Sequence, residues 1–555
     1  MSLEDGITAS GFRKFAGSAI RLRPQTTTHY VSTTRWATIR SAIAGTMGDS
    51  TDLPESQIDE IARGLADADL IGLSSMTGYS ALTHRVIARL RELAPGAFIV
   101  WGGIHPIIEP EDAVSAPVDA ICTGEGEFAY AELLERLDAG EDPTTVKNFW
   151  FKRNDEVVRN HFLPLMSSEA MEDLPFPLWG AKEETIYKPG EGFVEMGLPD
   201  YVHHQGLGYT ALWSIGCPFH CTYCGNTAFI ANDKAYKKIR HPSARYITEE
   251  IKAVKRRFPH TSHIRFLDDS FMAIPYRDIA EFSEKWHAEV KTPFSVYGVI
   301  PNYVKQDKFE VLTWAGMSQI RMGIQSGSRR ILDFYKRPSP PEKILKAGAV
   351  CASFAPKYHQ PPIYDIIVDN PIETRQDVVD TLELLYEMPR PFTLLIYSLK
   401  VIPNTQLALS MEEMGVDMQE ISSSYAWIPP RAGNLLLYLL AICRPPRWLW
   451  TLMLRRVRAS REPQKEWPRL GIVLRTLYLG RRGLSSVRRM DFSSIPGWSS
   501  YALWRLGIVW LWERTFNAHM DKPDPPAKRR VVPPAAAGGV EVVPVLAPGS
   551  ERSSG

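Results

Sequence analysis

The stretch Ser214-Ile-Gly-Cys-Pro-Phe-His-Cys-Thr-Tyr-Cys-Gly-Asn226 constrains this chain more than any other, because it sets Cys217, Cys221 and Cys224 in a C-x3-C-x2-C pattern on one loop. Three thiolates held this close make a soft, anionic pocket suited to an iron–sulfur cluster or to zinc. A structural zinc site wants four protein ligands, and an ordinary cluster wants four cysteines. The remaining cysteines, Cys122, Cys351 and Cys443, are isolated and far away in sequence. His220 is available as a fourth ligand for a zinc knuckle. Three ligands on a four-iron cluster would instead leave one iron open, as a catalytic metal keeps an open position.

The rest of the chain has room for such chemistry. Its 555 residues predict about two to four domains with large cores. The hydrophobic fraction of 44%, charged fraction of 23% and net charge of +1 are those of an ordinary globular protein, with no global case for nucleic acid. Six cysteines with three of them clustered do not make a disulfide framework and suit a reducing cytoplasm. Residues 1–23 are mixed and polar with no apolar leader. No run of about eighteen apolar residues suggests a membrane span.

Along the chain, apolar runs and amphipathic stretches alternate. Residues 1–28 form an extension in which 18–22 reads as a short strand. Helices are expected at 34–44, 54–66, 79–93 and 127–137, and strands at 69–75, 97–101 and 119–122. Such alternation implies a doubly wound parallel sheet, whose ligands bind beyond the carboxyl ends of the strands. Those ends are Ser74-Ser75-Met76-Thr77, Gly102-Gly103-Ile104-His105-Pro106 and Thr123-Gly124-Glu125-Gly126-Glu127. Their glycines and small hydroxyls let a large ligand approach the backbone. Residues 146–205 read as a connector with scattered strands, proline-punctuated at 174–179. Alternation then resumes, with strands expected at 211–215, 263–267, 294–299, 319–324, 363–368 and 393–399. The helices between them are expected at 245–258, 276–290, 305–314, 329–334 with 342–354, and 375–386. The second strand ends in Asp268-Asp269 and the fourth in Gln325-Ser326-Gly327-Ser328, with Ser328 a natural helix N-cap.

The cysteine spacing, with Tyr223 before the third cysteine, resembles the radical S-adenosylmethionine (SAM) superfamily. Six β/α units with the cysteine loop after the first strand are similar to its partial barrel. Residues 29–145 resemble the cobalamin-binding domain that precedes the barrel in one large class of that family. The resemblance implies an α/β fold: an N-terminal doubly wound parallel sheet of cobalamin-binding type, a partial (β/α)6 barrel over 206–410, and a mostly helical C-terminal region. It further implies that Cys217, Cys221 and Cys224 bind a 4Fe–4S cluster. Tyr223, Gly225, Asn226, Asp268, Gln325, Ser326 and Gly327 would contact SAM. Ser74, Ser75, Met76, Thr77, Gly102, Gly103, His105, Pro106, Gly124, Glu125, Gly126 and Glu127 would contact cobalamin. The activity implied is methylation of an unactivated carbon in an unknown substrate through a 5′-deoxyadenosyl radical and methylcobalamin, with an external electron donor reducing the cluster. No catalytic acid or base is assigned. A non-methylating radical cyclisation or rearrangement on the same fold remains open, as does a zinc-bearing adaptor at a membrane surface or on nucleic acid. Two departures stand out. The Asp-x-His-x-x-Gly loop common in cobalamin-binding domains does not occur before residue 150, which implies either a cobalt with no protein histidine ligand or a degenerate domain; on the first reading His105 is expected to touch the cofactor without being its axial ligand. The turn Asp369-Asn-Pro-Ile-Glu-Thr374 stands where members of the resembled family more often have Gly-x-Pro-Gly-Glu-Thr.

Beyond residue 410 the composition changes. Residues 441–490 carry many arginines interleaved with Trp448, Trp450 and Trp467, against only Glu462 and Glu466. The apolar run 434–454 is broken at Arg444-Pro-Pro-Arg447 into halves too short to span a bilayer of ~30 Å. The helical region 411–521 is therefore expected to be an accessory domain closing the barrel, with peripheral membrane contact through 434–520 as the alternative. No nucleic-acid partner is expected. The Pro-, Ala- and Gly-rich tail 522–555 is expected to be disordered. The expected location is the cytoplasm, or the inner membrane surface if that contact is real.

Overall fold

The computed structural model describes residues 1–4, 6–33, 52–153, 156–416, 428–459, 464–489, 497–511 and 513–514. The helix expected at 34–44 and the tail 522–555 lie outside the described residues. The first sheet comprises β1 (Ser2–Glu4), β2 (Thr28–Ser32), β3 (Leu70–Ser75), β4 (Phe98–Gly102), β5 (Ala120–Cys122), β6 (Phe149–Arg153), β7 (Glu156–Arg159), β8 (Glu184–Lys188) and β9 (Gly192–Glu195). Their spatial order is β7-β6-β5-β4-β3-β1-β2-β8-β9. The central six pair in parallel, and the hairpin strands on both flanks pair antiparallel.

Alternation along the strands fills two cores. Ile71, Leu73, Ile99 and Trp101 face the helices Glu55–Arg63 and Ser80–Leu93, while Val100, Ala120 and Phe149 face the helix Gly126–Ala139.

This topology corrects three expectations. The first residues are no extension: β1 lies between β2 and β3 at the centre of the sheet. Three residues are too short to show a period. Residues 18–22 belong to the helix Ser10–Leu22, whose small Gly17 lets it lie against the 176–178 strap, where a Cβ would meet Phe176 O at 2.7 Å. Nor is 146–205 only a connector, since it supplies β6 to β9 of the same sheet.

The second sheet is β10 (Gly208–Ala211), β11 (His263–Phe266), β12 (Phe294–Val299), β13 (Met317–Gln325), β14 (Ile363–Val368) and β15 (Thr393–Ser398). It is parallel throughout and runs in sequence order, so it forms an open (β/α)6 barrel wall. An aromatic core of Trp213, Phe266, Phe271, Phe282, Trp286 and Phe294 fills one flank, with Trp213 stacked on Phe282 at 4.8 Å. The first strand ends four residues earlier than expected, because Trp213 and Ser214 donate their N–H groups to Asp268 and not to a ladder.

The C-terminal helices Ala432–Ile442 and Arg447–Arg458 lie on the barrel helix Arg375–Glu387. Fully buried Trp450 stacks there on Tyr386 at 5.2 Å. No helix among the described residues is long and apolar enough to cross a membrane.

Candidate active site

The cysteine loop leaves the carboxyl end of β10 and is pinned on several sides. Gly216 takes a φ of +109°, and Cys217 donates its N–H to Tyr236 O at 3.2 Å. Thr222 bonds Tyr335 O through its N–H at 3.0 Å and Phe334 O through its hydroxyl at 3.1 Å. Asp268, buried at the end of β11, accepts the N–H groups of Trp213 and Ser214 at 2.8 and 2.9 Å. Burial pushes its carboxyl up to about 7, those two N–H groups pull it down, and Asp269 repels it. Asp268, expected to contact SAM, holds the cysteine loop instead.

Cys217 and Cys221 are buried and Cys224 is half-buried. Their three sulfurs do not all lie within 4.8 Å of one another. Thiolates sharing one zinc ion at ~2.3 Å would sit roughly 3.8 Å apart, closer than these three all stand. His220 sits with Lys237 and Lys336, and its burial followed by those two charges lowers its pKa. Arg337 is buried beside the loop, with Nη1 3.6 Å from Cys221 Sγ and Nη2 donating to Gly323 O at 2.7 Å. Burial pushes the Cys217 thiol up to about 11, and the Arg337 charge acts in the opposite sense.

The barrel mouth divides the expected SAM contacts into two groups. Tyr223 lies edge-on to Tyr335 at 5.0 Å. Gly225 abuts the first domain so closely that a Cβ would come within 3.1 Å of Ile108. Asn226 opens the helix Asn226–Asn232 and bonds Asp269. Asp269 keeps an accessible edge at the mouth while protein surrounds most of it. That enclosure raises its carboxyl pKa, and Tyr236 donates to it at 3.2 Å. Gln325 ends β13 at φ +74°, with its amide over Gly323 and beside Arg337. A non-glycine residue held in this region is strained, as is common where a ligand is clamped. Ser326 and Gly327 go elsewhere. Both bond Thr381 Oγ1 of the helix Arg375–Glu387, at 3.1 and 2.8 Å, and so fix that helix and do not face the mouth.

A cavity of about 430 Å³ lies between the two sheets. On the first domain it is lined by Ser74, Ser75, Met76, Gly102, Gly103, Gly124, Glu125, Gly126 and Glu127. Thr77, His105 and Pro106 do not line it. Thr77 starts the turn Thr77–Tyr79. Pro106 is buried within the helix Ile104–Ile108. His105 is buried against Trp101 at 5.0 Å, with Nε2 2.8 Å from Asp112 Oδ2.

Several lining residues escaped the sequence. Gly11, Phe12 and Phe15 come from the first helix, Asn148 from the loop before β6, and Phe229 and Tyr236 from the cysteine-loop side. Gly72 was legible in principle, since a lone glycine inside an apolar strand marks a close approach. It is exposed in the middle of β3, and a Cβ there would meet nothing within 4 Å. Parallel sheets are normally covered on both faces. This one is bare where the cavity lies.

Tyr236 both lines this cavity and bonds Asp269 at the barrel mouth. Glu125 also joins the two domains: it pairs with Arg240 at 2.8 Å and accepts the Met166 N–H at 2.7 Å.

Residues 41–134 match the B12 binding domain family, and residues 212–385 match the Radical SAM superfamily. The chain carries a B12-binding domain followed by a radical SAM domain. It is 26% identical over 340 residues to the uncharacterized methyltransferase PH0819 of Pyrococcus horikoshii, a match covering 60% of this chain and 68% of that protein. It is 29% identical over 185 residues to the anaerobic magnesium-protoporphyrin IX monomethyl ester cyclase of Synechocystis, covering 33% of this chain and 32% of that one. The solved structure of the cobalamin-dependent SAM radical enzyme OxsB, with aqua-cobalamin and SAM bound, shares the fold at a TM-score of 0.54. That likeness is 13% identical and covers 93% of this chain and 89% of OxsB.

The two domains imply a 4Fe–4S cluster, SAM and cobalamin as cofactors of this radical SAM enzyme. The residues present fit them: three free cysteines on one loop with the buried Arg337 cation beside Cys221, and a bare sheet face at Gly72 lining the cavity.

Proposed function

We propose that this enzyme methylates an unactivated carbon, with Cys217, Cys221 and Cys224 holding the cluster and the cavity over Gly72 holding cobalamin. One observation carries the reading. Tyr236 belongs to the wall of that cavity and to the barrel mouth at once, so the two proposed cofactor sites adjoin. Bound there, the cluster and SAM would supply hydrogen abstraction and cobalamin the methyl group.

The chain's own residues orient and enclose. Asp268 fixes the cysteine loop through Trp213 and Ser214. Arg337 places a buried positive charge beside the sulfurs, and Gln325 is folded toward it. Asn226, Asp269 and Tyr236 form a hydrogen-bonded rim between mouth and cavity. The Glu125–Arg240 pair holds the two sheets together and helps exclude water.

Of the expected contacts, Tyr223, Gly225, Asn226 and Gln325 remain proposed for SAM. Those lining the cavity remain proposed for cobalamin. The substrate and the electron donor are not identified by any of these contacts.

The test is anaerobic reconstitution with SAM deuterated on its methyl group, in the presence of extract. Formation of 5′-deoxyadenosine together with a product carrying the labelled methyl group is expected. The likeness to the cyclase favours a second reading, a radical reaction without methyl transfer. Deoxyadenosine formed with no labelled product would select it.

A further inference from the structure

The helix Pro468–Arg488 carries apolar residues on two sides: Leu474, Tyr478 and Leu479 pack against the barrel core, while others stay outside it. Its inward residues include Gly471, Arg475, Tyr478 and Ser486. Leu470, Val473, Leu477, Leu484 and Val487 face outward, the last two with 70% and 72% of their surface exposed. They stand three, four, seven and three positions apart, so at ~100° per residue they share one stripe about 100° wide. An uncovered apolar stripe of this length marks an interaction surface.

Beside it lies a recess of about 570 Å³. It sits at the amino ends of β14 and β15, so it is at the barrel end opposite the cysteine loop. Arg481, Arg482, Arg488 and Arg489 line it, no carboxylate does among the described residues, and Leu484 belongs to both recess and stripe. Neighbouring cations crowd the same region. Burial and then repulsion from Arg444 and Arg481 hold Arg390 down to about 10. Burial and Arg488 also lower Arg489. Such a field is relieved by an anion.

The helix itself carries Arg469, Arg475, Arg481, Arg482 and Arg488 and no acidic residue. A second copy docked on the stripe would bring like charges together. A nucleic acid would neutralise the arginines but leave the apolar stripe wet. An anionic bilayer surface satisfies both features: acyl chains meet the stripe, and headgroup phosphates meet the arginines.

We propose that the helix Pro468–Arg488 docks on anionic phospholipid membranes, with a lipid phosphate seated in the recess lined by Arg481, Arg482, Arg488 and Arg489. The surface lies away from the cofactor sites, so the proposal stands independently of the methylation reading.

The full-length protein is tested by co-sedimentation with vesicles of phosphatidylcholine alone or mixed with phosphatidylglycerol, at low and high salt. Salt-sensitive binding to the mixed vesicles only is expected. The Arg481→Gln/Arg488→Gln pair should weaken it about tenfold or more. The Leu477→Ser/Leu484→Ser pair should weaken binding comparably with less salt dependence, and both pairs should still cleave SAM to 5′-deoxyadenosine. Absence of vesicle binding at low salt overturns the proposal, as does binding unchanged in both pairs. A thermal shift with inorganic phosphate but no vesicle binding would assign the recess to a free anion. A concentration-dependent dimer abolished by the leucine pair, with no vesicle binding, would assign the stripe to a second copy.

Discussion

At the scale of single residues, the three loop cysteines stand apart from the rest because only they are held side by side. Cys217→Ala, Cys221→Ala or Cys224→Ala should each abolish cluster assembly, read as iron and sulfide content, and with it deoxyadenosine formation. Cys351 is wholly buried in the barrel core, and burial raises its thiol pKa. Cys351→Ala should retain the cluster and cost roughly 1 kcal/mol in chemical denaturation. A cluster lost in Cys351→Ala would mean that a fourth thiolate closes the open iron. Gly72 offers the complementary test on the first domain. Its backbone tolerates a side chain, and the added atoms would occupy only the cavity. Gly72→Leu should weaken corrinoid binding at least tenfold while iron content stays at the wild-type level.

At the scale of elements, hydrogen bonds decide which strands end where. Asp369 follows β14 at φ +59°, a conformation that favours glycine, and carries bonds a glycine lacks. It accepts from Ser398 Oγ at 2.6 Å and from Asn434 Nδ2 at 3.2 Å, tying the C-terminal helix Ala432–Ile442 to β15. Asp369→Ala loses these bonds and keeps the strained backbone, so it should destabilise the fold by about 1–3 kcal/mol. Asp369→Asn should lose less.

The helix Ala244–Arg257 carries a pH-sensitive group. Glu250 accepts from Tyr209 at 2.9 Å, and burial pushes its carboxyl up to about 7 from 4.5. Between those values the folded chain keeps a proton that the unfolded chain releases, so stability falls as pH rises across the window. Glu250→Gln should therefore raise the melting temperature at pH ~8 and change it little at pH ~5. An equal effect at both would remove Glu250 as the cause.

The barrel elements were legible in the sequence because the strands carry short apolar or alternating apolar stretches, and the helices between them keep a 3.6-residue stripe. β12 and β14 begin and end where the pattern places them. What stayed hidden depended on long-range pairing. β1 is three residues long and becomes a strand only between β2 and β3. Ser326, Gly327 and Asp268 are polar groups at strand ends, and spacing alone does not reveal that their partners are Thr381 and the backbone of Trp213 and Ser214.

At the scale of the whole molecule, the proposed reaction space is the cavity between the two sheets, at the carboxyl ends of their parallel strands. The sheets are joined by the Glu125–Arg240 pair and by Asn404, whose Nδ2 donates to Ile108 O at 2.9 Å. Among the described residues no histidine lines the cavity they enclose. His105, the one histidine of the three strand-end loops, is committed to Asp112 and to the ring of Trp101. Moving its imidazole into the cavity would strip Asp112 of that bond and open a gap against Trp101. The expectation is a corrinoid held with no protein nitrogen on the metal. Electron paramagnetic resonance of the cob(II)alamin form in protein labelled with nitrogen-15 tests this directly, because splitting from the corrinoid's own base is unchanged by labelling the protein. Spectra of labelled and unlabelled protein should coincide, and His105→Ala should leave them unaltered. A splitting that changes on labelling and vanishes in His105→Ala would place His105 on the metal and require the helix Ile104–Ile108 to rearrange when the cofactor binds.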